Sequence, residues 1–183
     1  LLAVNLRRDG SSKFADGHKW GTFPSVSAAW RFSSEAFMKT AHSWLDDAKL
    51  RVSYGLIGNQ NVPGGLNYSQ YGSSIYDYYC FGSPTTPSIG SGVITVGNPV
   101  MEWETSKQFD LGLDLLLFNN SLEIVADYFR KDIDNMLMQE PLPTTLGFPI
   151  FPYSNVGSMR NTGWEFGITY RKAWSDFNFT ASA

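Results

Sequence analysis

The chain has 183 residues, 43% of them apolar, with a net charge of −3 and a pI near 5.3; this balance offers no electrostatic footprint for nucleic acid and no polybasic run for a peripheral membrane anchor. Phe, Tyr and Trp make up 15% and charged residues only 17%, a composition that suits large β surfaces. No apolar run approaches the roughly 18–20 residues of a transmembrane helix, so helical spanning is excluded, whereas strand spanning needs only about 9–11 residues and stays open.

Taken in chain order, the periodicity predicts seven strands, at approximately 1–9, 22–32, 49–58, 103–118, 122–132, 161–171 and 176–183. Leu2, Val4 and Leu6 open the first. Val26, Ala28, Trp30 and Phe32 alternate with Ser25, Ser27, Ala29 and Arg31 in the second, and Leu50, Val52, Tyr54 and Leu56 with Arg51, Ser53 and Gly55 in the third. Gln108–Phe118 is the clearest, with Phe109, Leu111, Leu113, Leu115 and Leu117 on one parity and Asp110 and Asp114 on the other. Asn119-Asn120 tolerates the positive φ of a tight turn, and Leu122, Ile124, Ala126 and Tyr128 then alternate with Glu123, Val125, Asp127 and Phe129. Trp164, Phe166, Ile168 and Tyr170 against Glu165, Gly167, Thr169 and Arg171 make the sixth, and Phe177, Phe179 and Ala181 begin the last. Every strand has one apolar and one polar face.

The connections alternate in length. They are short after 118 and after 171 but long after 9, 58 and 132, the asymmetry of an outer-membrane barrel with short periplasmic turns and long extracellular loops. The 33–48 link is the exception: it belongs on the periplasmic side, with helical turns expected at Glu35–Lys39 and Ser43–Asp47. Trp30, Phe32, Trp103, Phe118, Tyr128, Trp164, Tyr170 and Trp174 stand where strands would cross the lipid–water boundary. The competing reading is a secreted β-sandwich that binds carbohydrate without transport; it shares the alternation but would bury the apolar stripe under a second sheet. Leu1 without a basic leader, and Ala183 inside a strand pattern, read as cut ends.

Several phrases carry a resemblance. RRDGSSKF (Arg7–Phe14), WGTFPSVSAAWRF (Trp20–Phe32), WLDDAKLRVSYGLIGNQ (Trp44–Gln60), WETSKQFDLGLDLLLFNNSL (Trp103–Leu122), DYFRKDIDNML (Asp127–Leu137) and NVGSMRNTGWEFGITYR (Asn155–Arg171) occur in order over nearly the whole chain. Together they resemble the middle-to-late barrel of the SusC/RagA-type, TonB-dependent outer-membrane transporters of Bacteroidetes. Ser121, where an Arg is common, and Ile133, where a Thr is usual, are minor departures. The resemblance implies an all-β, antiparallel transmembrane barrel fragment, one part of a barrel of about 22 strands whose lumen holds a plug. It also implies a SusD-like surface lipoprotein as partner, TonB engaged through parts outside these residues, a Gram-negative outer membrane, and an oligosaccharide or oligopeptide cargo.

The chemistry is that of binding. His18 and His42 are isolated, Cys80 is the single cysteine, and neither H-E-x-x-H nor G-x-S-x-G occurs. No catalytic residue, metal site or cofactor is therefore expected. Glu102 with Glu104 belongs to a wall motif, and Asp127, Asp132 and Asp134 lack the glycine and spacing of a calcium loop. Arg51, Asp110, Asp114, Glu123, Asp127, Glu165 and Arg171 are expected to face the lumen and plug, because a mid-membrane Arg on the lipid side costs about 2–4 kcal/mol. In the 59–102 loop, Tyr68, Tyr71, Tyr76, Tyr78, Tyr79 and Phe81 lie among Asn67, Gln70 and Asp77, and flat rings with polar tips suit sugars or peptides. The 133–160 segment, with Met136, Leu137, Met138, Leu146, Phe148, Ile150 and Phe151, is expected to be an apolar loop that docks a partner.

Overall fold

The computed structural model describes residues 1–73, 78–80, 87–143, 145, 150–174 and 177–183, with backbone alone at 41–42, 78–80, 87 and 89. Its strands are β1 (Leu2–Gly10), β2 (Trp20–Arg31), β3 (Leu45–Asn59), the short β4 (Gln70–Gly72), β5 (Tyr78–Cys80), β6 (Pro87–Ile89) and β7 (Gly92–Thr95), then β8 (Glu104–Leu117), β9 (Leu122–Gln139), β10 (Tyr153–Trp174) and β11 (Phe177–Ser182). Seven of them form one sheet in the order β1-β2-β3-β8-β9-β10-β11, every pair antiparallel. Each long strand thus lies beside the next one in the chain. The sheet is open, with β1 and β11 at its edges, and β4–β7 and β5–β6 are small hairpin-like pairs inside the 60–103 loop.

Register puts the predicted parities on common faces. Ala28, Val52, Leu111, Tyr128 and Trp164 form one cross-strand row, and Ala29, Arg51, Gly112, Asp127 and Glu165 form the adjacent row on the opposite face. Among the described residues no second layer covers the apolar face: Leu2, Val4, Val52, Leu111, Trp164 and Phe166 all remain exposed. A sandwich core would have removed these side chains from solvent; the sandwich reading is therefore overturned.

Three strands are longer than the periodicity predicts: β3, which already begins at Leu45, and β9 and β10 at their far ends. Pairing of β9 with β10 continues to Gln139 opposite Tyr153, so the expected 133–160 loop shrinks to 140–152, and Met136, Leu137 and Met138 lie in a strand. The alternation is broken there by register shifts between Asn155 and Gly157 and between Gly157 and Met159. Asn135, at φ 57°, supplies the left-handed residue that a bulge on β9 needs. Each extra residue swaps the faces, so a period-two reading ends where pairing does not.

The ends of the sheet are closed by different means. Phe118, Asn119 and Asn120 turn with φ of 56°, 54° and 62°, and Asp46 Oδ2 accepts the Asn120 N–H at 2.9 Å. The 32–44 link forms 3₁₀ turns at Phe32–Ser34 and Ala36–Ser43. Of the second helical turn expected at Ser43–Asp47, Ser43 ends the second 3₁₀ turn and Leu45–Asp47 instead open β3. Met38 and Phe32 fold back over Leu45, Ala48 and Leu117, while Asp47 accepts the Ser33 hydroxyl at 2.6 Å. At the long-loop end, Phe14, Phe23, Val62, Leu66, Met101 and Trp103 form a separate buried cluster.

Candidate functional site

The charged face is organised around Arg51. From β3 its Nε and Nη2 donate to Asp114 on β8 at 2.9 and 2.7 Å, and Nη2 also reaches Asp127 on β9 at 3.0 Å. Lys49 adds a contact to Asp114 at 2.9 Å. The fork of one guanidinium thereby ties three strands, a geometry Lys could not reproduce. Gly112 stands between these groups, and a Cβ there would lie 2.7 Å from Arg51 Cζ and closer still to the Asp127 carboxylate. Further along the face, Ser53 and Gln108 each donate to Asp110 at 3.2 Å, and Arg171 pairs with Glu123 at 2.7 Å. Glu165 is exposed and sits opposite Asp127 in register. The seven charged residues expected on one face do share it. A cleft of about 440 Å³ opens on the same face, lined by Asn5, Arg7, Asp9, Phe23, Gln108 and Asp110 among others.

At the long-loop end of the sheet, the residues that lead into β8 pack into an aromatic nest. Phe14 stacks on Trp103 at 4.7 Å between centroids and Phe23 meets Trp103 edge-on at 5.5 Å. Phe23 fits because Gly21 and Gly58 have no side chain against its ring. Trp103 is only 7% exposed, which corrects its placement among the boundary aromatics: it pins the 11–19 and 60–67 segments to the start of β8. Among the described residues its buried Nε1–H has no partner. The sequence signal was Phe14, a lone aromatic in the polar stretch Asp9–Asp16.

Side chains also join the 96–103 segment to the β9–β10 extension. Asn155 donates to Glu102 O at 3.0 Å and to Asn135 O at 2.8 Å, and its Oδ1 accepts the Glu102 N–H. Asn98 donates to Tyr153 O at 3.1 Å. Glu102 and Glu104 take separate partners: Glu102 faces His18 at 3.2 Å, and Glu104 accepts from Asn59. No group of three or more His, Cys, Asp or Glu is placed to hold a metal ion among the described residues. Of the loop aromatics, Tyr68 and Tyr71 are exposed, at 66% and 73%. Tyr78 and Tyr79 are described by backbone alone, in β5 paired with β6. Tyr76, Phe81, Leu146 and Phe148 lie outside the described residues.

The boundary of the apolar face is marked by rings in contact: Phe109 with Tyr128 at 6.4 Å, Tyr128 with Trp164 at 4.9 Å, and Trp164 with Phe166 at 6.2 Å. A one-layer antiparallel meander with an oily face and an ion-paired face, a tight 118–121 turn at one end and the long 60–103 loop at the other, is the wall of a transmembrane β-barrel. The family model described as "TonB dependent receptor-like, beta-barrel" matches residues 1–183, and the chain belongs to that family. It is 36% identical to TonB-dependent receptor P3 of Formosa agariphila, over 98% of this chain and 18% of that protein. It is 32% identical to TonB-dependent receptor SusC of Bacteroides thetaiotaomicron, over 92% of this chain and 17% of that protein. Among solved structures, the RagAB peptide importer in the closed-closed state superposes with a TM-score of 0.83 at 28% identity, covering 99% of this chain and 19% of that one. The siderophore receptor PirA of Pseudomonas aeruginosa, at 20% identity and a TM-score of 0.57 over 99% of this chain and 30% of that one, shares the fold alone. The chain thus spans less than a fifth of the length of the curated relatives named here. Proteins of this family sit in the outer membrane of Gram-negative bacteria.

Proposed function

We propose that these residues form part of the wall and extracellular mouth of a TonB-dependent outer-membrane importer of Bacteroidetes type, acting with a SusD-like surface lipoprotein. The observation that carries this reading is the two-faced single sheet. Its uncovered Leu, Val and Trp side chains suit hydrocarbon, and the Arg51–Asp114–Asp127 network suits a water-filled, plugged lumen. In the proposed cycle, cargo is captured between the lipoprotein and the mouth. TonB, acting through parts outside these residues, then rearranges the plug, and cargo crosses to the periplasm. Arg51, Asp110, Asp114, Glu123, Asp127, Glu165 and Arg171 hold the plug against the wall. The loop rings Tyr68, Tyr71, Tyr76, Tyr78, Tyr79 and Phe81 contact cargo at the rim.

Cargo is an oligosaccharide by first preference and an oligopeptide by second; the name of the RagAB peptide importer supports the second. The test is uptake of defined oligosaccharides and oligopeptides by cells expressing the outer-membrane protein that carries this chain. Replacing Tyr68 and Tyr71 together with Ala is expected to reduce uptake of the true cargo about tenfold at low concentration, given about 0.5–1.5 kcal/mol per ring contact. Uptake of neither cargo class, or uptake independent of the partner lipoprotein, would overturn the reading.

A further inference from the structure

The outward face does not stay oily along its whole length. Beyond the row Leu111–Tyr128–Trp164 comes Phe109–Arg130–Thr162, and beyond that Leu56–Lys107–Asp132–Arg160. Three cations from three adjacent strands therefore converge on the outward face, immediately past the aromatic boundary and on the long-loop side. Asp132 accepts from Arg130 Nε at 2.9 Å and from Arg160 Nε through its other oxygen, and Lys107 meets Asp134 at 2.7 Å. Without these carboxylates the cations would repel one another; with them, three cations against two carboxylates leave one positive charge over. Each arginine has five N–H donors, and among the described residues Arg160 spends only its Nε–H, on Asp132. The cations are 43–63% exposed and, with Ser158 and Met159, border a depression of about 490 Å³.

We propose that Lys107, Arg130 and Arg160 form a site for the phosphate group of an outer-leaflet lipid headgroup. Position selects the ligand. Arg130 lies two residues past Tyr128, roughly 7 Å along the strand, and headgroups occupy roughly the first 5–7 Å beyond each side of the hydrocarbon. An Arg or Lys deeper in the band would be costly, while at this level the penalty falls to about 0–1 kcal/mol. Planar guanidinium groups match the tetrahedral oxygens of a phosphate, and the Asp132 clamp holds two of them together in advance. The inference rests on which face meets lipid and is independent of the cargo.

The test uses the whole outer-membrane protein that carries this chain, extracted from native outer membranes in mild detergent, with retained lipids identified by native mass spectrometry. The wild type is expected to retain a phosphate-bearing outer-leaflet lipid, and the Lys107→Gln/Arg130→Gln/Arg160→Gln variant to retain at least tenfold less. Asp132→Asn/Asp134→Asn is added to that variant in a second protein, so that loss of retention cannot be traced to unpaired carboxylates; it is expected to behave like the first. Enzymatic removal of the lipid phosphate should abolish retention by the wild type. Arg8, which stacks on the Trp20 ring elsewhere on this rim at 5.2 Å, provides the control, and Arg8→Gln should retain lipid normally. Equal retention by the triple variant, an equal loss in Arg8→Gln, or displacement of the lipid by millimolar inorganic phosphate would each overturn the proposal.

Discussion

At position 112 a missing side chain does structural work. Arg51 can bond Asp114 and Asp127 at once only because Gly112 leaves the space between them empty. The pairs themselves are half-exposed and stabilise modestly, since exposed ion pairs are worth roughly 0–1 kcal/mol; the steric effect is larger. Gly112→Val is expected to destabilise the folded protein in detergent by about 1–3 kcal/mol, the usual range for overpacking, read as a lower thermal midpoint. Asp127→Ala in the same background should recover part of that loss by vacating the space the valine needs, and strictly additive effects of the two changes would show that the clash is not with Asp127.

At the scale of the element, parity decides which face of a strand tolerates charge. Leu113 and Ser53 lie on opposite faces of the neighbouring strands β8 and β3. Leu113→Arg is expected to cost about 2–4 kcal/mol as a lipid-facing cation near mid-membrane, whereas Ser53→Arg, beside Asp110, should cost less than about 1 kcal/mol. Unfolding titrations in lipid vesicles would compare the two, and equal costs would contradict the assignment of faces. The same parity explains what was legible in the sequence. All seven long strands follow from alternation, because each is oily on one side only. The far halves of β9 and β10 were hidden because two bulges swap the faces in mid-strand. Trp103 was misplaced because a tryptophan at a strand end has the same local signature whether it meets lipid or a buried aromatic nest; only the nearness in space of Phe14 and Phe23 separates the two. The shared face of Arg51, Asp114 and Asp127 was readable from parity, but their bonding was not, since it depends on register between strands as many as 76 residues apart.

For the molecule as a whole, the two ends of the sheet belong to different compartments. The connections 11–19, 60–103 and 140–152 gather at one end and the 32–44 and 118–121 links at the other. In a protein carrying this chain and freed of other thiols, with Cys80→Ser, a membrane-impermeant maleimide is expected to label Ser11→Cys on intact cells. Asn120→Cys should react only after the outer membrane is opened. Labelling of both in intact cells would contradict the topology. The cargo is legible neither in the sequence nor in the superposition on RagAB, because flat rings with polar tips suit more than one kind of polymer.

The oily stripe has a measurable height. On β8 it runs from Phe109 to Leu117, about 27 Å along a strand at about 3.4 Å per residue, and a tilt of about 40° reduces this to roughly 20 Å of depth. That falls short of the roughly 30 Å of an average hydrocarbon slab. The inner end of the stripe is also roofed by Met38 and Phe32, while Phe37 and Trp44 project from the same link. A stripe of this height fits a bilayer thinner than average, as the bacterial outer membrane is, so a thick host bilayer would have to shorten beside β8 before its lipids could meet the protein.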